Sequence, residues 1–144
     1  MVGADAGSTT SQTITITEND STPVVTLATS ASTIAENAGS SLTLTATLSN
    51  ATTEDVTVAL STSGTGTEGT DYSTISDITI SAGATTGTAS FTPTDDSVYE
   101  GNETGIVAID SVSGGSANES GTPQSVTITI TENESAPTVT LTTS

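Results

Sequence analysis

Positively charged side chains are absent from this sequence. Its 144 residues contain no lysine, arginine or histidine, against 17 aspartates and glutamates, so the formal net charge is −17 at pH 7. Proteins that bind nucleic acid neutralise its phosphates with Lys and Arg, so nucleic acid is excluded as a partner. A histidine base and a lysine Schiff base are excluded for the same reason.

Cysteine is absent as well. This excludes disulfides, thiolate nucleophiles and, because there is no histidine either, zinc sites of the Cys/His type. The chemistry left to the acidic residues is a paired-carboxylate active site or a metal ion held by carboxylates.

Aromatic residues and long apolar runs are scarce. There are one Phe, two Tyr and no Trp, and the hydrophobic fraction is 31%. No run reaches the roughly 18 apolar residues of a membrane helix, so we expect no membrane insertion. Such a composition also suits a disordered Ser/Thr-rich stalk, but the apolar residues alternate regularly, which favours a folded domain.

The alternation predicts strands. Leu42–Leu48 shows it most clearly, with an apolar residue at every second position and Thr between them. Period two with β-branched residues is typical of strands that have one buried face. Seven strands are predicted, at 24–35, 41–48, 55–61, 75–80, 86–92, 104–110 and 125–131. Turn residues separate them and no stretch has helical spacing, so we expect an all-β antiparallel sandwich.

One segment of the sequence is duplicated. Residues 14–20, Ile-Thr-Ile-Thr-Glu-Asn-Asp, reappear at 128–134 with Glu in the last place, an offset of 114 residues. We therefore predict one complete domain at 23–136. It is preceded at 1–22 by the tail and last strand of an earlier repeat, and followed at 137–144 by the first strand of a later one. Repetition at a fixed period indicates a tandem array. The two orphan strands are expected to be frayed, packed against the domain edge or exchanged between chains.

Up-and-down strand alternation gathers nine acids at one end of the domain. Two carboxylates about 4 Å apart repel by about 4 kcal/mol at an effective dielectric near 20, and no cationic side chain can relieve this. They either extend into water or hold a hard cation, and Ca²⁺, which takes six to eight oxygens in irregular geometry, suits converging loops. The nine are Glu36, Glu68, Asp71, Asp95, Asp96, Glu100, Glu103, Glu132 and Glu134.

The order and spacing of these motifs over about 24–135 resemble a Calx-beta domain. The motifs are Glu36-Asn37-Ala38-Gly39, Gly69-Thr70-Asp71-Tyr72, Asp95-Asp96, Glu100-Gly101-Asn102-Glu103 and Ile128-Thr129-Ile130 before an acidic end. The resemblance implies an immunoglobulin-like β-sandwich that binds Ca²⁺, and the number of acids predicts more than one ion. The ligands that it implies are Glu36, Asp71, Asp95, Asp96, Glu100, Glu103, Glu132 and Glu134. Ser97 and the Glu-Asn-Glu ending depart from the family pattern, which lowers the expected ion number or affinity.

Simpler interpretations stand beside this one. The 95–103 loop and the 132–134 segment could be solvated, Glu68 is expected in solvent, and Asp71 could serve a turn by accepting backbone hydrogen bonds. The expected function is a non-enzymatic, calcium-binding spacer repeat of an extracellular, adhesin-like protein on a bacterial surface, with neighbouring repeats as partners. The alternative is an adhesive module that contacts glycan or another surface through the 111–124 loop or a Thr-rich sheet face. A paired-carboxylate glycosidase is a third, weaker alternative.

Overall fold

A computed structural model describes residues 3, 11–122 and 124–143, so parts of the predicted end segments and of the 111–124 loop lie outside the described residues. These residues form nine strands and no helix, and therefore no helix that could cross a membrane. The strands are β1 (Val24–Thr29), β2 (Thr33–Ala35), β3 (Leu42–Leu48), β4 (Val56–Gly64), β5 (Ile78–Ile80), β6 (Thr86–Phe91), β7 (Glu103–Ser113), β8 (Asn118–Glu119) and β9 (Ser125–Thr131).

The strands form two sheets packed as a sandwich, which confirms the predicted fold class. The four-stranded sheet has the order β6-β3-β1-β8, and the five-stranded sheet has the order β2-β9-β7-β4-β5. Most neighbours are antiparallel, but β1 pairs with β8, and β2 with β9, in parallel. The parallel β2–β9 pair places the end of β2 beside the end of β9, which is decisive for the site.

The strand predicted at 24–35 is two strands in different sheets. The chain leaves the first sheet after Thr29, where the backbone N–H of Ser30 donates to the carbonyl of Thr43 and the Ser30 hydroxyl accepts from the N–H of Thr43. It then crosses the sandwich and enters the second sheet at Thr33. The segment predicted as one strand thus contributes β1 to one sheet and β2 to the other. Because β2 pairs with β9 in parallel, the sandwich is not purely antiparallel as expected.

The core consists of the inward residues of the alternating strands. Val25, Leu44 and Leu48 of one sheet face Val58, Val107 and Ile128 of the other, and all are buried. Tyr72 and Phe91 are fully buried and stack with ring centroids 4.6 Å apart. Gly105 lies against this pair, where a Cβ atom would come 2.7 Å from Cε2 of Phe91. Two of the chain's three aromatics are therefore stacked at one point of the core, and Asp71 of the acidic end directly precedes Tyr72.

The two predicted orphan strands, within 1–22 and 137–144, form no strand within the described residues. Ile14 and Ile16 are 81% and 93% exposed, and Val139 and Leu141 are 97% and 95% exposed. Neither segment is packed against a sheet edge within the described residues, and whether the segments are frayed stays a prediction. Exchange between chains stays a prediction.

Candidate metal centre

Four segments place acidic side chains at one end of the sandwich. They are the turn after β2, the β4–β5 loop, the β6–β7 loop and the segment that follows β9. Six of the eight predicted ligands fall into two groups, and within each group one carboxylate oxygen per residue lies within 4.8 Å of the others. The groups are Glu36 with Glu132 and Glu134, and Asp71 with Glu100 and Glu103.

The first group depends on the β2–β9 pair. Ala35 lies opposite Thr131 in the parallel ladder, and the backbone N–H of Glu36 donates to the carbonyl of Thr131 over 3.0 Å. Glu36 and Glu132 therefore leave adjacent strand ends in the same direction. Because parallel ladders hold both backbones in fixed register, the approach of these two carboxylates is built into the sheet.

Glu132 connects the β9 exit to the β6–β7 loop. Its Oε2 accepts hydrogen bonds from the N–H groups of Glu100 and Gly101, at 2.7 and 2.8 Å. Its Oε1 accepts from the N–H groups of Asn133 and Glu134, at 3.0 and 3.1 Å. Donation by the N–H groups of Glu134 and Glu100 lowers the pKa of Glu132 to about 2. Glu132 is therefore a fixed negative charge throughout the neutral range.

Glu134 has a raised pKa, in contrast to Glu132. The adjacent side chain of Glu132, together with burial, raises the pKa of Glu134 to about 6. One of its oxygens accepts from the Asn133 side-chain amide over 2.9 Å, but Oε2 is buried and has no hydrogen-bond partner among the described residues. A buried carboxylate oxygen needs a donor, a proton or a cation. This atom is thus a candidate position for a proton or a cation beside the fixed charge of Glu132.

The second group assembles where the β4–β5 loop meets the start of β7. Burial, followed by the charge of Asp71, raises the pKa values of Glu100 and Glu103 above the ordinary glutamate value. Asp71 Oδ2 also accepts the N–H of Thr67 over 2.6 Å, so the turn-stabilising role foreseen for this residue is present alongside its place in the group. The two groups adjoin, since members of both line one small cleft with Ile130.

A family model described as Calx-beta domain matches residues 18–134. The chain belongs to the Calx-beta domain family. Among solved structures, the apo-form Calx CBD1 domain has a TM-score of 0.60 and 18% identity to this chain, covering 78% of it and 99% of the other. CBD12 from CALX1.2 has a TM-score of 0.58 and 20% identity, covering 69% of this chain and 40% of the other. A search of curated proteins finds no match.

The other two predicted ligands of this Calx-beta domain lie at the same end but in neither group. Asp96 Oδ1 accepts the N–H of Val98 over 2.6 Å, while the Asp96 N–H donates to Glu36 over 3.3 Å. Asp95 contributes negative charge that helps to raise the pKa of Glu134. Asp96 shapes the β6–β7 loop and anchors it to Glu36. Whether either residue binds an ion stays a prediction.

Glu68 is not solvated as expected. It accepts the Thr62 hydroxyl over 2.7 Å and the N–H of Ile75 over 2.6 Å, so it holds the β4–β5 loop together. The sequence analysis also missed Asn102, whose side-chain oxygen accepts the N–H of Glu132 over 3.0 Å. The sequence signal for Asn102 is its place between the two acids of the Glu100–Glu103 motif.

The donor set of the Calx-beta domain fits a hard divalent cation. The six grouped residues supply only carboxylate oxygens, which suit Ca²⁺, Mg²⁺ or Mn²⁺ rather than metals that prefer nitrogen or sulfur. The chain has no Lys, Arg or His that could neutralise them. Burial and neighbouring acidic groups raise the pKa values of Glu36, Glu100, Glu103 and Glu134, and a bound cation would favour their ionised forms.

Proposed function

We propose that this Calx-beta domain binds Ca²⁺ at its acidic end and acts as a non-enzymatic spacer repeat of an extracellular, adhesin-like protein on a bacterial surface. The observation that carries the proposal is the buried Oε2 of Glu134, which has no hydrogen-bond partner in the part of the chain that the structure describes and lies in a group completed by Glu36 and Glu132. Its neighbour Glu132 is fixed by four backbone N–H groups and stays ionised. An oxygen so placed gains a partner when a cation binds.

Calcium is favoured over magnesium by the irregularity of the site. The ligands come from four separate segments, and each group offers three carboxylates, leaving further positions to backbone oxygens or water. Ca²⁺ accepts six to eight oxygens in flexible geometry, whereas Mg²⁺ requires a near-ideal octahedron and keeps its water. Two adjoining groups support two ions.

The structural consequence of binding is a stiffer exit from the domain. Glu132 and Glu134 lie on the segment that leads out of β9, while Glu36, the third member of their group, follows β2 in the body of the sandwich. These residues would hold the cation and so join the exit to the body of the sandwich. Extracellular calcium modules bind at about 10⁻⁴–10⁻³ M, so such a repeat is loose at the low calcium of the cytosol and rigid outside the cell. Neighbouring repeats are the proposed partners.

Thermal unfolding with calcium and with chelator tests the proposal. A ligand that binds only the folded state stabilises it by about 2.7 kcal/mol at 100 times its dissociation constant, so the transition is expected at a clearly higher temperature in calcium. Asp71→Asn combined with Glu36→Gln should remove the shift while the far-ultraviolet spectrum is kept. Asp77→Asn, an acid outside both groups, is the matched control and should keep it. Coincident transitions of the unmodified chain in calcium and chelator would show the proposal to be wrong.

A further inference from the structure

Four of the described strands lie at the edges of the two sheets, and β6 differs from the other three. β2 and β5 have three residues each, and β8 has two. An acidic residue lies in or beside each of these short strands, since Glu36 follows β2, Asp77 precedes β5 and Glu119 ends β8. β6 has six residues, Thr86–Phe91, and none of them is acidic. Among the described edges, β6 is therefore both the longest and the one free of charge.

The β6 strand is also not protected against pairing with a further strand. Natural proteins block open edges with charged side chains, with proline or with β-bulges. The residues of β6 are Thr, Gly, Thr, Ala, Ser and Phe, and their register with β3 is unbroken from the Leu42–Phe91 pair to the Thr47–Thr86 pair. An edge with this composition and regularity is a template for strand addition.

Every second residue of β6 directs its backbone groups away from β3. The N–H of Leu48 donates to the carbonyl of Thr85 over 2.8 Å, which marks this pair as a hydrogen-bonded one. Because bonded and non-bonded pairs alternate along an antiparallel ladder, the residue after Thr85 and every second one beyond it face the open edge. These residues are Thr86, Thr88 and Ser90, and all three are exposed. Their backbone N–H and C=O groups have no partner among the described residues.

The open edge of β6 is complementary to itself. A two-fold axis at Thr88 places Thr88 opposite its own copy and Thr86 opposite Ser90, so all the residues with free backbone groups face one another. Each such pair can exchange both of its backbone hydrogen bonds. The residues between them, Gly87 and Ala89, have small side chains that do not hinder the approach. A contact of this kind is isologous, and it closes with two copies.

The distribution of charge favours contact between two copies at this edge. Each chain has a net charge of −17, so most of its surface repels a second copy. The two longest stretches of the sequence without an acidic residue are 37–53 and 78–94, and they contain β3 and β6. The strands that meet therefore carry no carboxylate. Repulsion from the acids elsewhere is screened over about 8 Å at physiological ionic strength.

We propose that β6 is an interaction surface for a second copy of this chain, whose own β6 pairs with it in antiparallel orientation about a two-fold axis at Thr88. The two four-stranded sheets then become one continuous sheet that passes through both copies. A second copy is the partner because the free backbone groups are symmetric about Thr88 and because both strands are uncharged. The inference goes beyond the proposed function, since β6 contains no member of either metal group and its pairing needs no calcium.

Cysteine substitution at the two-fold axis tests the pairing, and the chain contains no cysteine of its own. Thr88→Cys places two thiols on opposite residues, whose Cα atoms, about 5.5 Å apart in a bonded pair, are close enough for a disulfide. Thr47→Cys is the matched control, an exposed threonine of β3 that lies one strand further from the axis. In chelator, Thr88→Cys should form a disulfide-linked dimer at least ~10-fold faster, because pairing raises the effective concentration of the thiols. Equal rates for the two variants would overturn the proposal.

A charge placed on the axis separates this pairing from association through the exposed end segments. Sedimentation equilibrium of the unmodified chain should show a dimer that strengthens as salt is added, because salt screens the repulsion between the two chains. Thr88→Glu should weaken the dimer by ~5-fold or more, because it sets two carboxylates opposite each other. Thr47→Glu adds the same charge to the same face and should weaken it clearly less. An unmodified chain that stays monomeric at every concentration, or equal weakening by the two variants, would show that β6 is not the contact.

Discussion

The backbone N–H of Glu100 donates to the carboxylate of Glu132 over 2.7 Å, joining two residues that lie 32 positions apart in the chain. Glu132 thus has two separable properties, its charge and its capacity to accept hydrogen bonds. Glu100 and Gly101 need only the acceptor, whereas a bound cation needs the charge.

Glu132→Gln and Glu132→Ala should therefore differ in thermal stability without calcium. Both are expected to weaken calcium binding in a calorimetric titration. In chelator, Glu132→Ala should melt well below Glu132→Gln, because only the glutamine retains an oxygen that can accept from Glu100 and Gly101. Glu54→Gln removes the same unit of charge at the opposite end and should leave calcium affinity unchanged. Equal melting of the two Glu132 variants in chelator would contradict this division.

The two groups should behave as two sites. Asp71→Asn keeps an oxygen for the N–H of Thr67 but removes charge from the second group, and Glu36→Gln does the equivalent for the first. Each variant is expected to lose one binding event while the other event persists, as measured by calorimetric stoichiometry. Loss of all binding in either single variant would show instead that the groups form one inseparable site.

The metal-free chain should become more stable as pH falls from 7 to 5. Glu134 has a folded pKa of about 6 against an ordinary value of 4.5, so the folded state binds the proton more tightly and gains stability as that proton binds. Glu132, with a pKa of about 2, acts in reverse: its contribution is present above 4.5 and is lost as pH falls towards 2. Melting in chelator should thus peak near pH 4.5–5.

Calcium should reverse the pH dependence of the melting temperature between pH 7 and 5, because protons compete with the cation for the same carboxylates. In saturating calcium the melting temperature should fall, rather than rise, between pH 7 and 5. A melting temperature in chelator that declines steadily from pH 7 to 5 would contradict the raised pKa values.

Strand positions could be predicted from the sequence because one-sided burial leaves a period-two pattern. The inward residues of β3, such as Leu44 and Leu48, are the apolar members of that alternation. The change of sheet after Thr29 left no such signal, since Ile34 of β2 continues to point into the core. A pattern of burial records which face is inward, but it does not record which sheet a strand joins.

The positions of the acids in loops predict that they lie at one end of the domain. They do not predict which carboxylates lie together. Glu36 and Glu132 meet because β2 and β9 run parallel, an arrangement absent from simple up-and-down alternation. Glu68 was misjudged because its partners, Thr62 and Ile75, are set by the path of its own loop. Loop position predicts which end of a domain a carboxylate occupies, whereas its hydrogen-bond partners depend on tertiary structure.

Asp77 should contribute stability and no calcium binding. Its Oδ1 accepts the N–H of Leu60 over 3.0 Å at the point where the β4–β7 ladder shifts register. Asp77→Ala leaves this bulge without its side-chain acceptor and should cost about 1 kcal/mol of unfolding free energy, measured by urea titration. Asp77→Asn retains the acceptor and should cost less. Both variants should bind calcium as tightly as the unmodified chain. A change in calcium affinity would show that Asp77 affects the metal centre.

Gly105→Ala should destabilise the domain by about 1–3 kcal/mol, the usual cost of overpacking a core. The added Cβ would come 2.7 and 2.8 Å from ring carbons of Phe91, which is held against Tyr72 in the core. Gly121→Ala is the control, since a Cβ there meets nothing within 4 Å. Urea titration should show almost no loss for it.

A double variant separates the clash with the Phe91 ring from any cost of alanine to the β7 backbone itself. Phe91→Leu removes the ring atoms that the new Cβ would meet, at the cost of a less well-filled core. If the clash is the cause, Gly105→Ala should cost less in the Phe91→Leu background than in the unmodified chain, because contacting residues are not additive. If Gly105→Ala lowers the unfolding free energy equally in the two backgrounds, the effect lies in the β7 backbone. The Tyr72–Phe91 pair would then not be the reason that glycine is needed.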